Sequence, residues 1–360
     1  MATTDNAVPV AVIGAGWYGA QNHIPVLAGR ADVRLDGVCR LGAAELERVR
    51  AHFGFAFASE DYRALLARRP RAVVVSTPHH LHYAQTRDAI ASGAHVLCEK
   101  PMTLVAAEAW DLVARARQAG VQLLIANGHQ YLGGVSDVRR MIRDGAVGRV
   151  EHILCSFVSA TRAVFDGDVG LQSWKTTFFP PDHQSTWQAP EHGGGFAYGQ
   201  LSHSLAMMLW LTGLKPAAVS AQCWGPGKID LVDAGALLFE GGAVASLSGA
   251  AAMPEGQRPF FRLVVTGSAG VLDIAFDSDH CELRRHDGAN RRLAIAPGQW
   301  AYRCDGPIQA LIDLACGRGE NCSPGEVGAA TVSIIEAMLR SSKAGGRSER
   351  VEIPTGERLP

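Results

Sequence analysis

The chain carries almost no net charge: Lys and Arg together number 34 against 35 Asp and Glu. No bulk field therefore draws it to nucleic acid or to an anionic membrane, and partners of either kind are not expected. It also lacks paired cysteines. Its eight cysteines, at positions 39, 98, 155, 223, 281, 304, 316 and 322, form no C-x-x-C, and several stand inside apolar runs. That pattern excludes a zinc ribbon and fits reduced core thiols. No apolar run approaches the length of a membrane span, and the first residues, MATTDNAVPVAVIG, carry no basic region leading into a long apolar stretch. A cytoplasmic location is the expectation. Internal repeats and low-complexity tracts are absent too. What remains is an ordinary globular composition, 47% apolar and 19% charged over 360 residues, long enough for two full-sized cores.

Short β-rich runs fill the first third: VPVAVIG (8–14), VRLDGVC (33–39), AVVVST (72–77), AHVLCE (94–99) and VQLLIA (121–126). Between them lie segments such as AAELERVRAHF and VAAEAWDLVARARQAG, whose apolar residues recur at three and four. Strands apolar on both faces, alternating with amphipathic helices, predict a parallel, doubly wound α/β sheet over residues 1–128. From residue 129 to 360 the texture changes. A helix (VSDVRRMIRDG), a long strand near 149–161 and a polar stretch from Arg162 to His192 are followed by an apolar helix near 195–211. Hairpins then turn at Gly241-Gly242, near Gly267 and at Asp287-Gly288, and two helices close the chain. This predicts an α+β unit on a large, open, mostly antiparallel sheet, with the last helices packing back on the first unit. An open sheet face needs a cover, and a second copy of the chain is the expected one.

VIGAGWYG sets Gly14, Gly16 and Gly19 in G-x-G-x-x-G spacing after an apolar strand and before a helix. Glycines there let the backbone approach a pyrophosphate, and the helix offers free N–H groups to it. An NAD-type ribose contact calls for an acid at the end of the second strand. Asp36 lies mid-strand, and the strand ends on Cys39-Arg40. The guanidinium of Arg40 suits a 2′-phosphate, so NADP(H) is the favoured cofactor, with NAD(H) possible.

Ligands of parallel sheets bind beyond the carboxyl ends of the strands. STPHHLH brings Ser76, Thr77 and Pro78 to one such end, and CEKP brings Glu99, Lys100 and Pro101 to the next. A lysine ammonium beside a carbon that gains or loses hydride can bond the substrate oxygen and stabilise its developing charge. His79, His80 and His82 cluster on a turn, yet no Cys or acid stands at matching spacing, so no metal is expected.

G-x-G-x-x-G, T-P-x-x-x-H, E-K-P and a mixed C-terminal unit with a late S-P-G-E (323–326) together resemble the glucose-fructose oxidoreductase, inositol dehydrogenase and rhizopine catabolism group, Gfo/Idh/MocA. The resemblance implies a nicotinamide-dependent oxidoreductase of sugars, cyclitols or related polyols, assembled as a dimer or tetramer through the open sheet. The residues expected at the cofactor are Gly14, Gly16, Trp17, Tyr18, Gly19, Arg40, Ser76, Thr77, Pro78, His79, His82, Glu99 and Lys100.

One motif departs from the family. Its members carry D-x-x-x-H on the helix after a glycine run; here GGGFAYGQLSHSLAMM keeps His203, but Gly199 stands at the aspartate position and Ala206 where a later acid is frequent. The expected catalytic set is Lys100 with His203, and Tyr198 or Gln200 supplying a neutral hydrogen bond. A weaker base suits ketone reduction better than alcohol oxidation. Trp174, Lys175, Trp187 and Tyr131 are expected to add rings and donors suited to a polyhydroxylated substrate. Two other readings stay open: redox-neutral epimerisation or elimination with a retained cofactor, and a non-catalytic NADP(H) sensor.

Overall fold

The computed structural model describes residues 7–167, 177–180 and 186–360. The first sheet is built from β1 (Val8–Ile13), β2 (Val33–Cys39), β3 (Phe57–Ser59), β4 (Ala72–Val75), β5 (His95–Cys98) and β6 (Leu123–Ile125), in the order β3-β2-β1-β4-β5-β6. Every pairing in it is parallel. The crossovers are α1 (Ile24–Ala28), α2 (Ala43–Phe53), α3 (Tyr62–Leu66), α4 (His82–Ala91) and α5 (Ala106–Ala119). The central strands β1 and β4 are apolar throughout because both faces are covered. Val8, Val10 and Val12 pack on one side, Ala11 and Ile13 on the other. Order reverses between β1 and β4, so their carboxyl ends open a crevice. The short β3 was not among the runs that sequence singled out; three residues carry too little periodicity.

The second sheet has nine strands. After α6 (Val135–Arg143), β7 (Val150–Val158), α7 (Arg162–Asp166) and α8 (Ser202–Thr212) come β8 (Pro216–Trp224), β9 (Val232–Phe239), β10 (Val244–Ala250), β11 (Phe260–Gly267), β12 (Gly270–Ala275), β13 (His280–Arg285) and β14 (Arg291–Arg292). Helices α9 (Asp305–Ala315) and α10 (Gly325–Lys343) and the two-residue β15 (Glu349–Arg350) complete the chain. The order is β14-β13-β12-β11-β7-β10-β9-β8-β15, antiparallel except between β7 and β10. The turns at Gly241-Gly242, near Gly267 and at Asp287-Gly288 join the expected hairpins.

Here residues alternate strictly: β11 buries every second side chain. The inner face meets α8 and α10, whose Ser341 and Ser342 hydroxyls accept the Ala221 and Cys223 N–H groups, both at 2.9 Å. On the outer face Leu154, Trp224, Val232, Leu238 and Val244 are exposed. Helix α9 lies against the first sheet instead, its Ile308, Leu311 and Ile312 buried with Val8 and Val10.

Candidate functional site

A cavity of about 920 Å³ runs from the β2 end, across the β1/β4 crevice, to the inner edge of the second sheet. Its walls test the fit of a dinucleotide. Gly14 has φ +95°, and a Cβ there would stand 2.5 Å from the Ser76 carbonyl carbon. A Cβ on Gly16 would meet nothing within 4 Å, so that glycine faces open space. Ser76 Oγ is buried beside the turn and has no hydrogen-bond partner among the described residues. A tight turn, an empty cradle and a spare hydroxyl suit a pyrophosphate and its ribose.

Most of the expected cofactor residues line this space: Gly14, Gly16, Trp17, Tyr18, Arg40, Ser76, Thr77, Pro78, His79, Glu99 and Lys100. Two do not. Gly19 is packed away, since a Cβ on it would lie 2.8 Å from the Gly14 oxygen, so it serves the approach of helix to strand. His82 is fully buried, with Nδ1 2.8 Å from the Pro101 oxygen and Nε2 2.8 Å from the Thr77 oxygen. It ties the β4 end to the β5 end. Asp36 is held by Arg68 at 3.0 Å and takes no part in the cavity.

Glu99 and Lys100 are gripped by two π-helical turns. In the first, Gly19–His23, the Ile24 N–H reaches back five residues to the Gly19 oxygen. It delivers buried His23, whose Nε2 donates to Glu99 Oε1 at 2.7 Å. The other Glu99 oxygen accepts the Lys100 N–H at 3.0 Å. In the second, Ala197–Leu201, the Ser202 N–H reaches back to the Ala197 oxygen. It delivers the Gly199 carbonyl, which accepts from Lys100 Nζ at 2.6 Å. Turns of this kind are frequent at functional sites.

This answers what stands in for the family aspartate. A Cβ on Gly199 would sit 2.9 Å from the Trp187 ring and 3.2 Å from the Phe165 ring. The indole of Trp187 occupies the carboxylate's space, with Lys100 Nζ 5.6 Å from its centroid. The cation meets a neutral carbonyl and an aromatic face in place of a second acid. Burial pulls the Lys100 pKa down to about 8, with Glu99 pulling the other way.

His203 is buried, lines the cavity, and has no hydrogen-bond partner for Nδ1 among the described residues. Burial first, then the Lys100 and His129 charges, push its pKa well below the ordinary value, so the ring is neutral at physiological pH. Around it stand Tyr302 at 5.5 Å, His129 at 5.7 Å and Phe157 at 6.1 Å between centroids.

Of the expected substrate residues, the structure brings Trp187, Gln200 and His203 to the cavity with Lys100. Two expectations fail. The Tyr198 hydroxyl donates to the Leu104 oxygen at 2.7 Å, and the Tyr131 hydroxyl is bonded to Ser323 Oγ at 2.8 Å; neither lines the cavity. Each points away because its side of the turn faces a neighbouring segment. Trp174 and Lys175 lie outside the described residues.

Sequence reasoning missed His129, Tyr302, Glu60, Phe179, Ser159 and Gln257, all of which line the cavity. They come from irregular segments that carry no periodic signal. Tyr131 is the residue expected from the turn at Gly128–Tyr131, whereas His129, two positions earlier, is the one that lines the cavity.

Comparison with known proteins agrees with this geometry. Residues 8–127 match the oxidoreductase family with an NAD-binding Rossmann fold, and residues 135–273 match the GFO/IDH/MocA C-terminal domain. D-glucoside 3-dehydrogenase of Escherichia coli is 29% identical over 164 residues, 45% of each chain. A 1,5-anhydro-D-fructose reductase of Ensifer adhaerens is 29% identical over 293 residues, 79% of this chain and 80% of that one. The chain spans about half the length of most of the curated relatives it matches. The crystal structure of an oxidoreductase domain protein from Kribbella flavida superposes with a TM-score of 0.77 at 20% identity, over 97% of this chain and all of that one, a likeness of fold. With the glycine turn, the E-K-P strand end and both sheets in place, this chain belongs to the Gfo/Idh/MocA family of oxidoreductases.

Proposed function

We propose that the protein is an NADP(H)-dependent oxidoreductase of a sugar, aminosugar or cyclitol, moving hydride between nicotinamide and a carbinol or ketone carbon. The observation that carries this is Lys100, at the end of β5 beside the Ser76-Thr77-Pro78 strand end, with a pKa near 8 and its ammonium aimed into the cavity. When bound, the nicotinamide supplies or accepts the hydride. The chain's own work is to bind, to orient and to handle one proton.

In the reducing direction the Lys100 ammonium bonds the carbonyl oxygen and gives it a proton as the alkoxide forms. In the oxidising direction the neutral amine takes that proton back. The Gly199 carbonyl orients Nζ without fixing its charge, so both protonation states are accessible near neutral pH. Neutral His203 and Gln200 hold the substrate hydroxyls, and Trp187 offers a ring face to the apolar side of the sugar. At the far end Arg40 meets the 2′-phosphate, which favours NADP(H) over NAD(H).

The exposed row of Leu154, Trp224, Val232, Leu238 and Val244 supports self-association through the second sheet. Sedimentation of Trp224→Asp with Leu238→Asp checks it, with dissociation as the expected outcome.

Titration of fluorescence with NADPH and NADH, on wild type and Arg40→Asp, tests the cofactor. The expected outcome is tighter NADPH binding that the substitution abolishes. Binding of neither nucleotide would remove the oxidoreductase reading. The pH dependence of kcat/KM tests the chemistry: reduction should fall and oxidation rise through pH about 8. Rates independent of pH across that range would exclude Lys100 as the proton carrier.

A further inference from the structure

Residues 177–180 come from the long segment before the second π turn, yet they lie against the nucleotide end of the first sheet. Three anchors hold them there. The Thr177 N–H donates to Gln21 Oε1 at 3.0 Å, and the Thr177 oxygen accepts from Arg48 Nη2 at 3.2 Å. Phe178 packs between elements of α2, its ring 4.9 Å from His52 and 5.3 Å from Phe53. Phe179 then comes under Arg40, whose guanidinium carbon stands 3.7 Å from the ring centroid.

An arginine at a strand end is ordinarily mobile, and its planar fork reads a phosphate only when its plane is fixed. Here Nε is committed to the Leu41 oxygen at 3.0 Å and Nη1 to the Ala15 oxygen at 3.5 Å, while Phe179 covers one face. Among the described residues Nη2 makes no hydrogen bond, and Arg40 lines the cavity, so that edge remains for a ligand. A second cation, Arg48, lies 5.2 Å from Phe178 and 5.7 Å from Phe179, while Glu45 is an acid facing Arg40 from the same helix. The carboxylate that could bond an unphosphorylated ribose, Glu60, already accepts the Gly42 N–H through Oε1 at 2.5 Å.

Resting on the reading that a nicotinamide dinucleotide fills the cleft, we infer that Phe179, held by its strap to α2, is a specificity-determining residue. It fixes the Arg40 guanidinium for the 2′-phosphate, so a segment that follows the first sheet by some way in the chain sets a preference exercised at that sheet. Phe178 is a positioning residue that acts through it.

The test measures Kd for NADPH and NADH on the full chain carrying Phe179→Ala, Phe179→Tyr or Phe178→Ala. The expected result is a loss of about tenfold for NADPH and about twofold or less for NADH in Phe179→Ala. Phe179→Tyr should restore the ratio, and Phe178→Ala should shift it the same way by a smaller factor. A general loosening of the fold would weaken both nucleotides alike, so equal losses overturn the inference, as does an unchanged ratio. A wild type that binds NADH at least as tightly as NADPH also overturns it, while leaving the oxidoreductase reading standing. Binding of neither nucleotide removes both.

Discussion

The two π turns that flank Glu99-Lys100 make opposite contributions to adjacent residues. The turn at Gly19–His23 supplies an imidazole ring to a carboxylate, a hydrogen-bonded pair sealed from water. The turn at Ala197–Leu201 supplies a bare carbonyl to an ammonium that keeps part of its surface open to the cavity. The first contact fixes a strand end in place. The second leaves its partner able to change charge, which is what a proton carrier requires.

Predictions follow from pulling these two contacts apart. Lys100→Met should lower kcat by about a thousandfold in either direction, with nucleotide affinity changed by a few-fold at most. Steady-state rates beside a nucleotide titration check this, and near-normal turnover would refute the role. His203→Ala should cost about a hundredfold in kcat/KM, because a neutral hydrogen bond to a substrate hydroxyl is lost rather than the proton itself. Glu99→Gln tests the sealed side. It should lower unfolding free energy by about 2 kcal/mol in urea, by weakening the charge-assisted bond from His23.

The next effect reverses sign. Lys100 titrates near 8 in the folded chain and near its ordinary value of 10.5 when unfolded, so the unfolded chain holds more protons between those values and wild-type stability rises across that window. Below pH 8 the full penalty stands. Lys100→Met should therefore be more stable than wild type by about 2 kcal/mol at pH 7, a figure reduced for the open surface of the amine. The gap should close above pH 10.5, and a gap independent of pH would dismiss its electrostatic origin. The smallest shift is the sharpest test of the second turn. Gly199→Asp combined with Trp187→Ala makes room for a carboxylate at Lys100 and should raise the pH of half-maximal rate by about one unit. Gly199→Asp alone should chiefly destabilise, because the indole blocks it.

The nucleotide end of the cleft was legible in the sequence because it is written in backbone requirements. Gly14 stands at a turn with positive φ and no room for a Cβ, and strand ends fall where apolar runs stop. The doubly wound sheet and the hairpins were legible for the same reason, periodicity of burial. The end of the cleft at Lys100 was less so. Lys100 and His203 could be named, but nothing in GGGFAYGQ announces that a π turn aims the Gly199 carbonyl at the lysine or turns Tyr198 toward Leu104. Phe179 and Tyr302 are brought in by segments far along the chain, and such contacts leave no local trace in the order of residues. His82 matched its motif, and the structure shows it as a brace between two strand ends.

The acceptor opposite Lys100 has no side chain, so no codon change deletes it. Selection can move it only by altering what shapes the turn, chiefly Trp187 and Phe165, which crowd Gly199 from one side. A site arranged in this way is shielded from the commonest route of decay, loss of a polar partner by substitution. It is instead exposed to drift in two apolar residues, where a change of volume would shift the carbonyl that Lys100 meets.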